Sequence, residues 1–359
     1  MDAGTTPHRY VADFSLALIN RTGAYYIGRD ILEQLPEHFA AIRYWRTFSK
    51  AEPRGLVRRL LGRAMLFELG HLPITEHLPR SGAAPTLFLD PLYVLRADLS
   101  ARDIVLCHDI GPVSHPDLFD RKTGELYADA YRRICQAKPG MVFVSEASRR
   151  EFVAAFGADF RFLQVIPLYV RAETDIGPDR APAGIHPPFL LTVGALEKRK
   201  NHVRVIEAVG RSGLRERGYS YVFCGPRGNA AQEVQSAAAA APGVHALGYL
   251  DDAEVRWLYR NAAGFVLPSL LEGFGLPALE AARHGLVSLV SAGGAQQEAV
   301  GEGAILVDPI SVTSIAEGLR LLVDMAPEER ARRLALARRH AAELSFDRYL
   351  ARWSALLAG

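Results

Sequence analysis

The stretch that most constrains this chain is LPSLLEGFGLPALEAARHG, residues 267–285. An apolar run from Ala263 to Leu267 leads through Pro268-Ser269 into the turn Glu272-Gly273-Phe274-Gly275. A helix follows, opened by Pro277 and closed by Gly285. Proline suits a first helical turn because its missing N–H had no partner there, and glycine suits the left-handed residue just past a helix end. A strand, a tight glycine turn and a helix in that order leave free N–H groups pointing out of the turn, which is an arrangement that holds a phosphate or diphosphate. Glu272 and Glu280 bracket the turn. Neither sits well against a bare phosphate, but each is a good acceptor for vicinal hydroxyls, Glu280 for a ribose and Glu272 for a sugar. A nucleotide sugar satisfies both halves of that description.

The rest of the chain supplies a frame for such a site. Short apolar segments recur at Tyr10–Leu18, Thr86–Leu89, Asp103–Cys107, Met141–Val144, Phe162–Ile166, Phe189–Val193, Tyr219–Cys224, Gly264–Leu267, Val287–Val290 and Ala304–Val307. Helical patterns lie between them, at Tyr127–Gln136, Glu146–Phe156, Val203–Arg211, Ala253–Arg260 and Ser314–Val323. Strands alternating with helices read as parallel sheets covered on both faces, an α/β class. With 359 residues there is material for two such domains. The proline- and charge-rich run RAETDIGPDRAPAGIHPP, residues 171–188, breaks the pattern and reads as the linker between them. This predicts a first domain over 1–170, a second over 189–344, and a terminal helix over 345–359 crossing back onto the first through Phe346, Tyr349, Leu350, Trp353, Leu356 and Leu357.

Composition narrows the function classes. A net charge of +2 gives no basic field for nucleic acid. Cys107, Cys135 and Cys224 are few and far apart, with no metal-ligand spacing, so buried free thiols at Cys107 and Cys224, which sit in apolar strand contexts, and a cytoplasmic location are expected. The sequence shows no signal-peptide pattern and no apolar run near the ~20 residues that span a bilayer.

In doubly wound sheets ligands bind beyond the carboxyl ends of strands, and three further loops at such places carry polar chemistry. After Phe189–Val193 come Glu197-Lys198-Arg199-Lys200-Asn201. An isolated run of three cations reads as a solvated turn, but on the same domain as the glycine turn it is placed to neutralise a diphosphate. After Asp103–Cys107 come His108-Asp109, suited to hydrogen-bonding a reacting sugar, with a structural histidine as the plainer alternative. After the first strand, Gly23 in Arg21-Thr22-Gly23 lets backbone approach a ligand; an ordinary loop remains the alternative.

These residues resemble the family 4 retaining glycosyltransferases, which have the GT-B architecture of two Rossmann-like doubly wound domains facing across a cleft. The resemblance is carried by Pro268 to Pro277 with Glu280, an acid, seven residues and an acid. It is extended by Val193-Gly194-Ala195-Leu196 with Arg199-Lys200-Asn201, Gly248-Tyr249-Leu250, and Val300-Gly301 leading to Val307-Asp308-Pro309. In the first domain it rests on His108-Asp109, His115-Pro116 and Val144-Ser145-Glu146-Ala147-Ser148. It spans residues 10 to 355 and is strongest from 189 to 310. It departs from the family at Ala195, where many members carry arginine.

The resemblance implies transfer of a glycosyl unit from a nucleotide sugar with retention at the anomeric carbon. Arg199 and Lys200 would hold the diphosphate, and the turn Gly273, Phe274, Gly275, Leu276 would supply N–H groups. Glu280 would bind ribose, Glu272 and His108 the sugar, Tyr249 and Leu250 the base, and Gly23 the diphosphate or acceptor. Charge developing on the leaving diphosphate would be met by Arg199, Lys200 and the helix dipole, with no metal or other cofactor. GDP-mannose is taken first as donor, and a growing, lipid-linked oligosaccharide of a polysaccharide or lipopolysaccharide as acceptor. Residues 50–69, KAEPRGLVRRLLGRAMLFEL, predict a basic amphipathic helix for an anionic membrane surface, with simple core packing as the alternative. A sugar-nucleotide epimerase of the same architecture and a non-catalytic nucleotide-sugar-binding subunit are the rival functions.

Overall fold

The computed structural model describes residues 10–71, 84–170 and 177–359. Residues 171–176 of the expected linker lie outside them. The chain divides into two compact units, one formed by residues up to Pro116, Arg121–Leu168 and Asp347–Gly359, the other by Asp117–Asp120 and Tyr169–Phe346.

The first unit is built on a seven-stranded sheet: β1 (Tyr10–Asp13), β2 (Phe39–Tyr44), β3 (Thr47–Phe48), β4 (Thr86–Phe88), β5 (Ile104–Cys107), β6 (Gly140–Phe143) and β7 (Phe162–Val165). The spatial order is β3-β2-β1-β4-β5-β6-β7, parallel except for the β2–β3 hairpin. Every residue of β1, β4, β5 and β6 is buried, which follows from sheets covered on both faces and explains their unbroken apolar runs.

The strands differ from the sequence reading in two ways: β2, β3 and a strand at Val244–Ala246 lie outside the apolar segments read there, and the first strand is shorter. The first strand stops at Asp13 rather than Leu18, and Ser15–Leu18 form a 3-10 turn. Asp13 ends it by accepting a hydrogen bond from the Ser15 N–H at 2.9 Å. The same carboxylate accepts from Arg43 Nε at 2.8 Å. That buried ion pair allows an arginine inside β2, a strand whose charge disguises it in the sequence.

The second unit holds β8 (Phe189–Val193), β9 (Ser220–Cys224), β10 (Val244–Ala246), β11 (Gly264–Leu267), β12 (Ser288–Ser291) and β13 (Ile305–Val307), all parallel, in the order β10-β9-β8-β11-β12-β13. Two apolar layers cover its faces, one around Leu190, Tyr221, Phe223, Leu289 and Leu319, the other around Phe189, Leu191, Leu258, Phe265 and Ala278. Residues 177–188 are fastened to the Asp252–Asn261 helix: Arg256 donates to the Pro178 carbonyl at 2.9 Å and Arg260 pairs with Asp179 at 2.8 Å. The Phe346–Ala358 helix buries Tyr349, Trp353 and Leu357, and from Asp347 onward it belongs to the first unit.

The helix expected over 50–69 forms at Gly55–His71. Its inward stripe is Gly62, Met65 and Leu69, all buried. Leu56 (70% exposed), Val57, Leu60, Leu66 and Phe67 (57%) face solvent. The helix is therefore apolar on two sides, where a helix packed on a single core would present a polar outer face. Among the described residues no helix is long and apolar enough to cross a membrane.

Candidate functional site

In the second sheet β8 leads away to β9 and β10 on one side, while β11 leads to β12 and β13 on the other. The carboxyl ends of β8 and β11 thus flank the point where the winding reverses, the place where open α/β sheets leave a crevice for ligands. The loop after β8 carries Arg199 and Lys200, and the loop after β11 carries Glu272. Strand adjacency brings together residues more than seventy positions apart.

They form one buried cluster. Lys200 Nζ lies 2.5 Å from Glu272 Oε1, and both side chains are 7% exposed. Arg199 Nη1 lies 3.0 Å from Glu272 Oε2, and Arg199 Nε lies 2.6 Å from Glu197. Ser269 Oγ donates to Glu272 Oε1 at 2.8 Å. Burial alone would raise the Glu272 carboxyl, but Lys200 first, then Arg199 and the Ser269 hydroxyl, hold it at about 2. Burial also pulls Lys200 below the usual lysine range against the upward pull of Glu272. The cations expected to meet a diphosphate are thus counterbalanced by the carboxylates of Glu272 and Glu197. The carboxylate is ionised at any physiological pH, so it accepts hydrogen bonds and has no proton to give.

The surrounding loops are stitched by side chains that lack chemistry of their own. Asn201, at a left-handed φ of 64°, donates through Nδ2 to the carbonyls of Pro268 (2.9 Å) and Pro309 (2.7 Å). Gln296 Nε2 donates to the Leu267 carbonyl at 2.7 Å. The close approach of the β8 and β9 ends requires Gly225, where a Cβ would stand 2.0 Å from the Gly194 oxygen.

The turn itself folds as its residues dictate. Gly275 adopts φ 106° as the N-cap of the Leu276–Arg283 helix. A Cβ there would also press on Gln296 at 3.0–3.1 Å, so glycine is required twice over. Phe274 is buried, anchoring the turn while its backbone stays at the helix N-terminus. Glu280 lies within that helix, and its carboxylate accepts from Tyr259 Oη at 3.0 Å. Tyr259 stacks on His284 with ring centroids 5.0 Å apart. Beyond β10, Gly248 accepts a hydrogen bond from the Gly225 N–H at 2.8 Å, and Tyr249 stands 80% exposed with its ring open to solvent; Leu250 is half-buried beside it. Lys200, Arg199, Glu272, the 273–276 turn, Glu280, Tyr249 and Leu250 all belong to the second unit.

His108 and Gly23 belong to the first unit. His108 follows β5, and its Nε2 donates to the Leu89 carbonyl at 3.3 Å, which leaves Nδ1 as the other ring nitrogen. The Ser148 hydroxyl donates to the His108 carbonyl at 3.1 Å, so the Ser145–Ser148 motif serves to cap a helix and hold this backbone. Gly23 begins the Gly23–Gln34 helix after β1.

Sequence reasoning missed three supporting residues. Asp90 stands at the end of β4, next to β5. It accepts from the Leu92 N–H at 2.8 Å and from Tyr127 Oη at 3.1 Å, and burial raises its carboxyl above the ordinary value of 3.8 while His108 acts against that shift. The strand-end rule that selected His108 applies equally to Asp90. Ser269 and Tyr259, which hold the two glutamates, carry no such signal.

Comparison with known proteins accords with this geometry. Residues 178–340 match the family described as glycosyl transferases group 1. The chain is 27% identical over 229 residues to the O-antigen chain mannosyltransferase B of Escherichia coli, covering 60% of this chain and 59% of that one. It is 28% identical over 222 residues to the MMP alpha-(1->4)-mannosyltransferase of Mycolicibacterium hassiacum, covering 61% and 53%. It thus spans between half and three fifths of the length of these curated relatives. Among solved structures, Anabaena HepE in complex with UDP and glucose superposes with a TM-score of 0.67 at 14% identity, covering 98% of this chain and 99% of that one. A trehalose-6-phosphate synthase studied with bisubstrate glycomimetics superposes with a TM-score of 0.67 at 16% identity, covering 97% and 98%. Both are GT-B proteins, and the likeness establishes that fold.

Proposed function

We propose that this GT-B chain, whose residues 178–340 match the glycosyl transferases group 1 family, is a glycosyltransferase that moves a sugar from a nucleotide-sugar donor to a hydroxyl of a lipid-linked oligosaccharide with retention at the anomeric carbon. Mannose from GDP-mannose is the first donor to test, since both curated relatives are named mannosyltransferases. The observation that carries this reading is the buried Lys200–Glu272–Arg199 cluster beside the N-terminus of the Leu276–Arg283 helix, at the reversal point of the second sheet.

The chemistry follows from charge. The bond between the anomeric carbon and the diphosphate oxygen breaks, and the acceptor oxygen forms a new bond to the same face of that carbon. The acceptor proton passes to the departing phosphate oxygen. Negative charge grows on the diphosphate, and Arg199, Lys200 and the first-turn N–H groups meet it without a metal ion. Glu272 then turns its lone pairs to the sugar hydroxyls. A carboxylate held between two cations is a poor nucleophile, which favours this front-face path over a covalent intermediate on Glu272. Glu280 takes the ribose hydroxyls, Tyr249 and Leu250 the base. His108 contacts the sugar through Nδ1, and Gly23 gives the diphosphate or acceptor close access to backbone.

The acceptor assignment draws on the Gly55–His71 helix. Its exposed Leu56, Leu60 and Phe67 run along one stripe, flanked by the exposed Arg59 and Arg63, a composition suited to lying in the surface of an anionic leaflet. The same composition supports reading the enzyme as peripheral, on the inner face of the cell membrane.

The test is nucleotide release from a panel of nucleotide sugars, with and without lipid-linked acceptor. GDP release from GDP-mannose, accelerated by acceptor and undiminished by a chelator, is the expected result. Interconversion of the donor sugar without acceptor would favour the epimerase, and no turnover of any donor would leave only a binding subunit.

A further inference from the structure

A cavity lined only by residues of the first unit lies apart from the donor residues. Between the Gly23–Gln34 helix, β2 and residues 50–58 runs a groove of about 1170 Å³. On the side of β2 away from β1, Thr47–Phe48 pair with Arg43 and Tyr44 and the Ser49 N–H donates to the Ile42 carbonyl, while Phe39 to Ile42 line the groove. Its walls divide by chemistry. Leu32, Phe39 and Ile42 supply apolar surface, while Arg21, Lys50 and Arg54 supply charge.

The charges are not all spent internally. Arg21 is bonded to Glu52 and stacks 4.1 Å above the Tyr25 ring, and Tyr25 Oη donates to Glu52 at 2.7 Å. That triad fixes one wall. Lys50 and Arg54 are exposed and have no carboxylate partner among the described residues. Five basic side chains line the groove against two acidic ones, Glu33 and Glu52. The groove is also continuous with the apolar helix face. Gly55 and Arg58 of the Gly55–His71 helix line it, while Leu56 and Leu60 of the same turns face outward. Arg58 is steadied there by donating to the Leu18 carbonyl at 3.3 Å.

An apolar trough with unpaired cations at its mouth, opening beside a lipid-directed helix face, fits a hydrocarbon chain ending in a phosphate. We infer that this groove binds the phosphate end of a membrane lipid, with the phosphate on Lys50 and Arg54 and the first carbons of the chain along Leu32 and Ile42. The inference rests on the proposed lipid-linked acceptor for its biological sense, but the site is separate from the donor residues of the second unit.

Dodecyl phosphate, below its micelle concentration, is the probe. Calorimetric titration of the full chain is compared with inorganic phosphate and with the uncharged dodecyl maltoside. Dodecyl phosphate should bind at least tenfold more tightly than either. The double variant Lys50→Ala/Arg54→Ala should weaken it tenfold or more. Ala40→Trp, which puts bulk on an exposed position of the groove wall, should weaken dodecyl phosphate but not inorganic phosphate. Thermal melting confirms that each variant is folded; these positions are exposed, so little change is expected. Equal binding of inorganic phosphate or of dodecyl maltoside overturns the proposal, as does unchanged binding in both variants, which would move the lipid to the outer helix face. Nucleotide release by the unaltered chain is scored separately. A chain that consumes donor and ignores dodecyl phosphate loses the groove alone, and one that binds dodecyl phosphate and consumes no donor loses the transferase reading alone.

Discussion

The two cationic regions of this chain use the same residue types to opposite ends. In the second unit, Arg199 and Lys200 are drawn inside and neutralised by Glu272 and Glu197. In the first, the exposed Lys50 and Arg54 line a groove and have no carboxylate partner among the described residues. A buried charge interacts in a low dielectric, so it must have a partner and gains much from a second one, whereas an exposed charge is weakly coupled and screened by salt. The first arrangement suits a ligand whose charge changes during a reaction. The second suits a permanent anion that arrives and leaves by diffusion. Salt should therefore weaken lipid binding far more than donor binding.

The largest effect that separates the two regions is expected from Lys200→Met. Removing one preorganised cation from the leaving group should lower the rate of nucleotide release by about 10²–10³-fold, with vesicle binding unchanged. A loss below tenfold would show that Arg199 and the helix carry the diphosphate alone.

The next effect is on stability. The Glu272 carboxyl is depressed from its ordinary 4.5 to about 2, so its contribution is complete above pH 4.5 and is lost as pH falls through 2. The shift amounts to about 3 kcal/mol at neutral pH. Glu272→Gln should lower the denaturant unfolding free energy by about that amount at pH 7, and the gap between variant and unaltered chain should narrow steadily below pH 4.5. A gap independent of pH would show that packing, not charge, holds the cluster.

A smaller effect tests the first unit. Leu56→Asp/Leu60→Asp should reduce binding to anionic vesicles at low salt by at least about tenfold, from two exposed leucines each worth roughly 1.5–3 kcal/mol when buried in lipid. Nucleotide release in the absence of lipid should not change. Vesicle binding that survives would return the helix to a purely structural role.

The smallest is Tyr249→Ala. An open ring that stacks on a base contributes about 1 kcal/mol, so KM for the donor should rise roughly fivefold with kcat little altered. An unchanged KM would remove Tyr249 from the base site.

How much of this was legible in the sequence depended on how local each feature was. The turn at 272–275 declared itself because glycine, proline and the flanking acids act within one strand and one helix. The neutralising contact between Glu272 and Lys200 did not, since it depends on β8 and β11 being neighbours at the reversal of winding. β2 was hidden because Arg43 breaks its apolar run, and only the buried Asp13, thirty residues earlier, makes that arginine tolerable. The groove was invisible for the same reason: its walls come from a helix, a strand and an irregular segment, none of which carries a motif. On the Gly55–His71 helix the basic composition was readable, but which apolar residues face inward was decided by the first unit around it.

The central claim is that the Lys200–Glu272–Arg199 cluster is a donor site. Its most direct test is calorimetric titration of GDP and UDP into the unaltered chain and into Lys200→Met, with thermal melting to confirm folding. The account predicts saturable binding of at least one nucleoside diphosphate to the unaltered chain, weakened at least tenfold in the variant. Equal binding by two folded proteins would contradict it.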